Sequence, residues 1–202
     1  MTPKLLLVAS MTVVVMATAG ACDSAPEGLP TALPTQLPTE LPTELPDGLP
    51  TVLLRNSWYL ENYTGQVPVQ LEHGVVLGAA GAGRVSAATR ADLAEAAAVV
   101  VTEDGHAGQV YELGGDRAFT LAEYAAELSE QSGTPVTYRD LTVADYAAAL
   151  VGAGLPEGYA QALASSDDGL RRGALLVETG DLSRLLGRPT TSLSEALAPV
   201  LA

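Results

Sequence analysis

The sequence has almost no lysine, cysteine or histidine, and these absences exclude several kinds of chemistry. Nine of the ten basic residues are arginine, and the single lysine is Lys4. A mechanism that needs a lysine in the folded part of the chain is therefore excluded, which removes Schiff-base chemistry and the Tyr-x-x-x-Lys catalytic dyad. The single cysteine, Cys22, allows neither an intrachain disulfide nor a cysteine-based metal cluster. His73 and His106 have no metal-ligand spacing to another candidate, so no metal site is predicted.

Positive charge and aromatic side chains are also scarce. The formal net charge is −14, from 24 acidic and 10 basic residues, and such a surface repels a phosphate backbone. Nucleic-acid binding is therefore not expected. A hydrophobic fraction of 48% with 17% charged residues is typical of a globular chain, and with 4% aromatics we expect a core of aliphatic side chains.

Residues 1–22 have the order of a secretory signal peptide: Lys4, an apolar run from Leu5 to about Ala19, and then small residues. Ala19-Gly-Ala-Cys22 resembles a bacterial lipobox, with Ala19 at the position where leucine is usual. We therefore expect an exported protein that is anchored to the cell membrane through a lipid on Cys22. The alternatives are a cleaved secretion signal, an uncleaved membrane anchor and, if the start of translation is mis-assigned, a cytoplasmic protein.

A proline-rich linker follows at residues 23–47. From residue 29 it repeats a four-residue unit, LPTA-LPTQ-LPTE-LPTE-LPDG. A proline in every unit removes amide donors and fixes φ, so neither a helix nor a sheet can propagate. The sequence predicts an extended spacer here and a folded domain over residues 48–202.

The folded part alternates short aliphatic runs with helical patterns. Strands are predicted at 51–55, 74–78, 84–88, 109–113 and 135–139. Helices are predicted to begin at capping boxes or their Asp variants, namely Thr89-x-x-Asp92, Thr120-x-x-Glu123, Thr142-x-x-Asp145 and Ser192-x-x-Glu195. Gly133 and Gly154 are predicted to end two of them. This alternation predicts an α/β architecture with parallel pairing, and the last 50 residues are predicted to be helical.

The glycine-rich segment 78–83 is predicted to be a hairpin turn. A dinucleotide-binding loop opens directly into a helix, whereas this segment leads into the strand predicted at 84–88.

The segment 54–63 concentrates residues that can bind a flat polar ligand. In an α/β sheet, ligands lie beyond the carboxyl ends of the strands, and this segment leaves a predicted strand. Aromatic rings offer a stacking surface, and an asparagine amide both donates and accepts hydrogen bonds. Ordinary packing at a strand–helix turn is the alternative. The candidate cofactor- or substrate-binding residues are Asn56, Trp58, Tyr59, Asn62 and Tyr63; no catalytic residue is assigned.

Several separate segments resemble the second half of the NmrA-like, NADPH-dependent quinone oxidoreductases, which are atypical short-chain dehydrogenases/reductases. The resemblance begins with GLPTVLLRNSWYLENY at 48–63 and covers about 155 residues. It continues through GAGRVSAATRAD at 81–92, GQVYEL at 108–113, FTLAE at 119–123, DY at 145–146, GLPEG at 154–158 and GDLSRLLGRP at 180–189.

The resemblance implies a partial Rossmann-like domain that lacks the N-terminal βαβ dinucleotide-binding half. It also implies NADP as cofactor, a quinone as hydride acceptor, and a turn at 56–59 lying against the nicotinamide. In the family, the missing half carries the glycine-rich phosphate loop; here a signal and a linker take its place. The strand at 51–55 would then lose its usual neighbours, so we expect an exposed sheet edge.

Three functional hypotheses follow. The first is NAD(P)H-dependent quinone reduction by a truncated member of this family, working or vestigial. The second is a membrane-tethered, non-catalytic lipoprotein that binds a quinone or another aromatic ligand. The third is a truncated or fused reading frame with no stable product. Export favours the second or the third, because NADPH is not available outside the cytoplasm.

Overall fold

The computed structural model describes residues 6–9, 13–15 and 51–202. Cys22 and the repeats of the linker lie outside these residues. The strands are β1 Leu6–Ala9, β2 Val13–Val15, β3 Thr51–Asn56, β4 Val75–Gly78, β5 Val110–Leu113 and β6 Thr137–Asp140. The helices are α1 Glu61–Thr64, α2 Val67–His73, α3 Arg90–Thr102, α4 Leu121–Ser132, α5 Val143–Gly152, α6 Glu157–Arg171, α7 Asp181–Leu186 and α8 Leu193–Leu201. Among these described helices, none has the length and apolarity that crossing a membrane requires.

The larger sheet has the strand order β2-β1-β3-β5. Strand β3 runs parallel to both of its neighbours, and Leu53 pairs with Val110 of β5. Alternate residues of β3, Val52 and Leu54, are buried in one core cluster with apolar residues of α3 and α7. The predicted α/β architecture with parallel pairing is confirmed.

A second sheet pairs β4 with β6, also in parallel. Its core lies against α4, whose buried face includes Tyr124 and Leu128. The connection that follows β4, residues 79–89, runs from this sheet back to the carboxyl end of β3.

The local helix signals in the sequence are confirmed. Thr120 and Ser192 form complete capping boxes, and the hydroxyls of Thr89 and Thr142 accept hydrogen bonds from the third amide of their helices. Gly133 ends α4 in the left-handed conformation. Gly154 is one residue beyond the cap of α5, which is Ala153.

The predicted hairpin at 78–83 and the predicted strand at 84–88 are wrong. Strand β4 pairs with β6, and segment 84–88 makes only two isolated bridges, Val85 with Phe119 and Ala88 with Tyr59. At Gly83 the chain packs against the end of α6, where a Cβ would lie 2.4 Å from the Leu170 carbonyl oxygen. It then bonds to Phe119 and to the segment after β3 and does not fold back onto β4.

In the uncleaved chain the expected exposed edge is not found at β3, because β1 and β5 pair with its two sides. The outer edge of β5 is closed by side chains. The Glu112 amide donates to Asp181 Oδ2 at 2.9 Å, and its carbonyl accepts from the Thr179 hydroxyl at 3.0 Å. Bonding these two groups blocks the addition of another strand at that point.

Candidate active site

The carboxyl end of β3 is held against two neighbouring segments by backbone hydrogen bonds. The Ser57 amide donates to the Leu113 carbonyl at the end of β5, at 2.8 Å, and the Trp58 carbonyl accepts from the Ala88 amide at 3.0 Å. Parallel strands bring their carboxyl ends to one edge of a sheet, which is where α/β proteins bind ligands. Asn56, Ser57 and Trp58 are therefore fixed at the position where a site is expected.

A cleft of about 230 Å³ opens at this edge. One wall is the end of β3 with Glu112 of β5, and the other is the segment 174–177 that follows α6. The lining residues are Arg55, Asn56, Ser57, Trp58, Glu112, Ala174, Leu175 and Val177.

Two serines hold the second wall in place. The Ser57 hydroxyl donates to the Leu175 carbonyl at 3.0 Å. The Ser86 hydroxyl donates to the Val177 carbonyl at 2.8 Å and accepts from the Val177 amide at 3.0 Å. Ser86 is fully buried, so these bonds are shielded from water. These hydrogen bonds hold the backbone of the wall at 174–177 against Ser57 and Ser86.

The cleft contains one ion pair and one unsatisfied acceptor. Arg55 Nη1 lies 3.0 Å from Glu112 Oε1, and both side chains are partly exposed, so the pair contributes little to stability. Asn56 Oδ1 is buried and has no hydrogen-bond partner among the described residues. A buried amide oxygen without a donor is uncommon, and Asn56 would have to turn its amide toward the cleft for a ligand N–H to satisfy it.

The structure brings two of the five predicted site residues, Asn56 and Trp58, into the cleft. Tyr59 packs against the core of the larger sheet, and the Arg90 guanidinium lies 5.0 Å from its ring centroid. Asn62 Oδ1 accepts a hydrogen bond from the same arginine at 3.4 Å. Tyr59 and Asn62 therefore contact the first residue of α3 and do not line the cleft.

Tyr63 is a core residue. Its ring centroid lies 5.4 Å from that of Tyr124, and its carbonyl accepts from the Tyr124 hydroxyl at 3.1 Å. Burial, reinforced by the nearby Asp167 carboxylate, raises the pKa of Tyr63 well above its ordinary value. Tyr63 therefore lies in the core and not in the cleft.

Neither Glu112 nor the wall at 174–177 was predicted from the sequence. Glu112 alternates with buried residues on β5, and this pattern gives no sign that its side chain reaches a cleft. The Leu175 carbonyl is 118 positions from the serine that binds it, and apolar residues there carry no local signal.

The C-terminal part of the chain is homologous to NAD(P)-dependent reductases. It is 56% identical over 146 residues to quinone oxidoreductase 2 of Escherichia coli, a match that covers 72% of this chain and 51% of that protein. The chain thus spans about half the length of the curated relatives it matches. No protein-family model matches it.

Solved structures agree with this homology. The NADPH complex of the NADPH-dependent quinone oxidoreductase from Escherichia coli has 53% identity and a TM-score of 0.75, covering 77% of this chain and 55% of that one. The NADP(H) complex of the Citrobacter sp. triphenylmethane reductase has 34% identity and a TM-score of 0.72, covering 76% and 54%. The fold is therefore that of part of a Rossmann-like NAD(P)-binding reductase.

Proposed function

We propose that the chain serves NAD(P)H-dependent quinone reduction, with the nicotinamide end of NADP(H) bound in the cleft at Asn56 and Trp58. The observation that carries this proposal is the combination of the homology with an unsatisfied Asn56 amide oxygen at the carboxyl end of β3. A quinone is then the hydride acceptor, and no metal is required.

The residues present fit the nicotinamide end of the cofactor. The Trp58 indole offers a flat surface to a planar ring, and Asn56 Oδ1 can accept from a carboxamide N–H. When bound, NADPH supplies a hydride, and a quinone that receives it together with one proton from solvent becomes a hydroquinone. The contribution of the chain is to orient the ring and to limit water in the cleft through the wall at 174–177.

A non-catalytic, membrane-tethered domain that binds a quinone or another aromatic ligand is the second candidate. It is favoured by the course of residues 78–89. The glycines there lead into an irregular segment before α3, whereas a phosphate loop opens directly into a helix. The described residues thus contain no such loop, and export would also remove the domain from NADPH.

Titration of the full chain with NADPH separates these two candidates. Trp58 is the single tryptophan, so its emission reports directly on the cleft. We expect quenching with a dissociation constant in the micromolar range. Asn56→Leu should weaken binding about 10-fold, because one hydrogen bond in a partly dry site contributes about 1.4 kcal/mol.

The matched control is Asn62→Leu, the same substitution outside the cleft, which should leave the dissociation constant unchanged. If wild type does not respond to NADPH up to millimolar concentrations but does bind a quinone, the second candidate replaces the first. Equal effects of the two asparagine variants would show that the nucleotide binds elsewhere.

With the second candidate we further propose that the chain is exported and anchored to the membrane through Cys22, a proposal that rests on the sequence of residues 1–22. Cleavage before Cys22 would also remove β1 and β2. In bacteria grown with labelled palmitate, the wild-type chain should carry label and sediment with membranes, whereas Cys22→Ala should be unlabelled. The mass of the mature chain tells whether residues 1–21 are removed; an unlabelled wild type with its full mass would contradict the anchor.

A further inference from the structure

The end of α6 is clamped to the connection after β4 by two side chains that are one helical turn apart. Asp167 Oδ2 accepts from the Ala79 amide at 2.7 Å, and Arg171 Nε donates to the Ala79 carbonyl at 2.9 Å. Both backbone polar groups of Ala79 are thus held by α6. We call Asp167, Arg171 and the residues they hold, 79–81, the α6 clamp.

Strand β6 completes the α6 clamp from the other side. Asp140 Oδ1 accepts from the Gly81 amide and from the Tyr138 hydroxyl, each at 2.8 Å, and pairs with Arg171 at 3.1 Å. The Ala80 amide donates to the Tyr138 hydroxyl at 3.1 Å. Three successive amides, from 79 to 81, are therefore bound by side chains of α6 and β6.

The clamp is joined to the cleft by a short stretch of backbone. Helix α6 ends at Arg171, and the cleft wall begins at Ala174. Gly83 lies against the backbone of Leu170 and Arg171 so closely that a Cβ there would meet both. A shift of the end of α6 relative to residues 79–83 must therefore be passed on to residues 174–177.

We propose that the α6 clamp is a proton-sensitive latch, in which Asp167 is a positioning residue that sets the place of the cleft wall at 174–177. Proton uptake by the Asp167 carboxyl favours the closed arrangement, in which α6 and β6 hold the amides of residues 79–81. Proton release loosens this arrangement. The inference concerns the wall itself and does not depend on which ligand the cleft takes.

The surroundings of Asp167 give the direction of this response. Its neighbours with titratable or charged groups come from α1, α5, β6 and α6 itself: Tyr63, Tyr146, Tyr138, Asp140 and Arg171. Burial, together with the Asp140 carboxylate, raises the pKa of Asp167 to about 6 against the opposing effects of the Ala79 amide and Arg171. A group whose pKa is raised by the closed arrangement stabilises that arrangement at low pH, and this stabilisation is lost as the pH rises from about 4 to about 6.

The test is an NMR titration of the full chain between pH 5 and 8. The Ala79 amide, the Val177 amide and the Trp58 indole N–H should shift together with a midpoint near pH 6. Asp167→Asn should abolish all three shifts. Arg171→Met should move the common midpoint upward and Asp140→Asn should move it downward, because these groups act on Asp167 with opposite signs.

Controls separate the latch from other ionisable groups of the chain. Asp168→Asn changes the next residue, which is paired with Arg172, and should leave the three shifts intact. His73→Gln and His106→Gln should also retain them. If Ala79 titrates while Val177 and Trp58 do not, the clamp is not coupled to the cleft and the proposal is overturned. No nucleotide is used, so this result is independent of whether NADPH binds.

Discussion

Replacing Asp92 with alanine should destabilise the folded domain by about 3 kcal/mol, because Asp92 is a buried charge with several partners. It is 1% exposed. Its carboxylate accepts from Arg188 Nη2 and from the Thr191 amide, each at 2.8 Å, and so ties the start of α3 to the segment before α8. The variant leaves the Thr191 amide without its acceptor, while Arg188 keeps Glu95 and some solvent. This places the effect near the lower end of the range for broken buried pairs.

Thermal unfolding followed by circular dichroism measures this effect. For a domain of this size, 3 kcal/mol corresponds to a fall in Tm of about 6–12 °C. The matched control is Asp145→Ala, since Asp145 occupies the same third position of α5 and also follows a capping threonine. Asp145 is exposed, so its replacement should cost about 1 kcal/mol or less. Equal losses in the two variants would contradict the role of burial.

The pH dependence of the Asp92 effect follows from its hydrogen bonds. Burial opposes ionisation of Asp92, but the bonds from Thr191, Arg188 and Thr89 outweigh it and lower the pKa of the carboxyl below 3.8. A lowered pKa in the folded state gives stability that is present above pH 4 and is lost as the pH falls through the folded value. The gap in Tm between wild type and Asp92→Ala should therefore narrow in strong acid.

The comparison of Asp92 with Asp145 also shows how far sequence alone could go. Both residues were predicted as capping acids, and both do lie at the third position of a helix, because capping is decided by residues three apart. Only Asp92 meets an arginine, and that arginine is 96 positions away. The same helix-start signal therefore occurs both at an exposed acid, Asp145, and at a buried acid, Asp92, that binds a distant segment.

The candidate site divides in the same way. The position of Asn56 and Trp58 at the carboxyl end of a parallel strand could be predicted, because the strand before them has a local sequence signal. Tyr59 and Tyr63 belong to the same aromatic-rich segment, but their rings pack against the two core clusters and not into the cleft. The opposite wall at Leu175 could not be predicted, because it depends on where α6 ends against Gly83. Segment 84–88 has strand-like residues, but its amides donate to Phe119, Leu175 and Trp58, none of which lies in a strand.

A second large effect is expected from Gly115→Ala, just after β5. An added Cβ would lie 2.3 Å from the Ala87 carbonyl oxygen, which is backbone and cannot rotate away as a side chain can. The Gly115 amide also donates to the Ser86 carbonyl at 3.0 Å, so the two segments are held together at the point of the clash. We expect a loss of about 3 kcal/mol, at the upper end for overpacking, and a fall in Tm of about 6–12 °C.

The same substitution should also alter the cleft. Relief of the clash must push residues 86–87 away from β5, and the next residue, Ala88, donates its amide to the Trp58 carbonyl. Trp58 emission should therefore change at temperatures where the variant is still folded.

Gly152→Ala is the matched control, because an added Cβ at that helical position meets nothing within 4 Å. It should leave Trp58 emission unchanged and raise stability by up to about 1 kcal/mol. A Gly115→Ala variant with wild-type Tm and emission would mean that segments 86–87 and 114–115 are not in close contact. The packing of these two segments would then not support the position of Trp58.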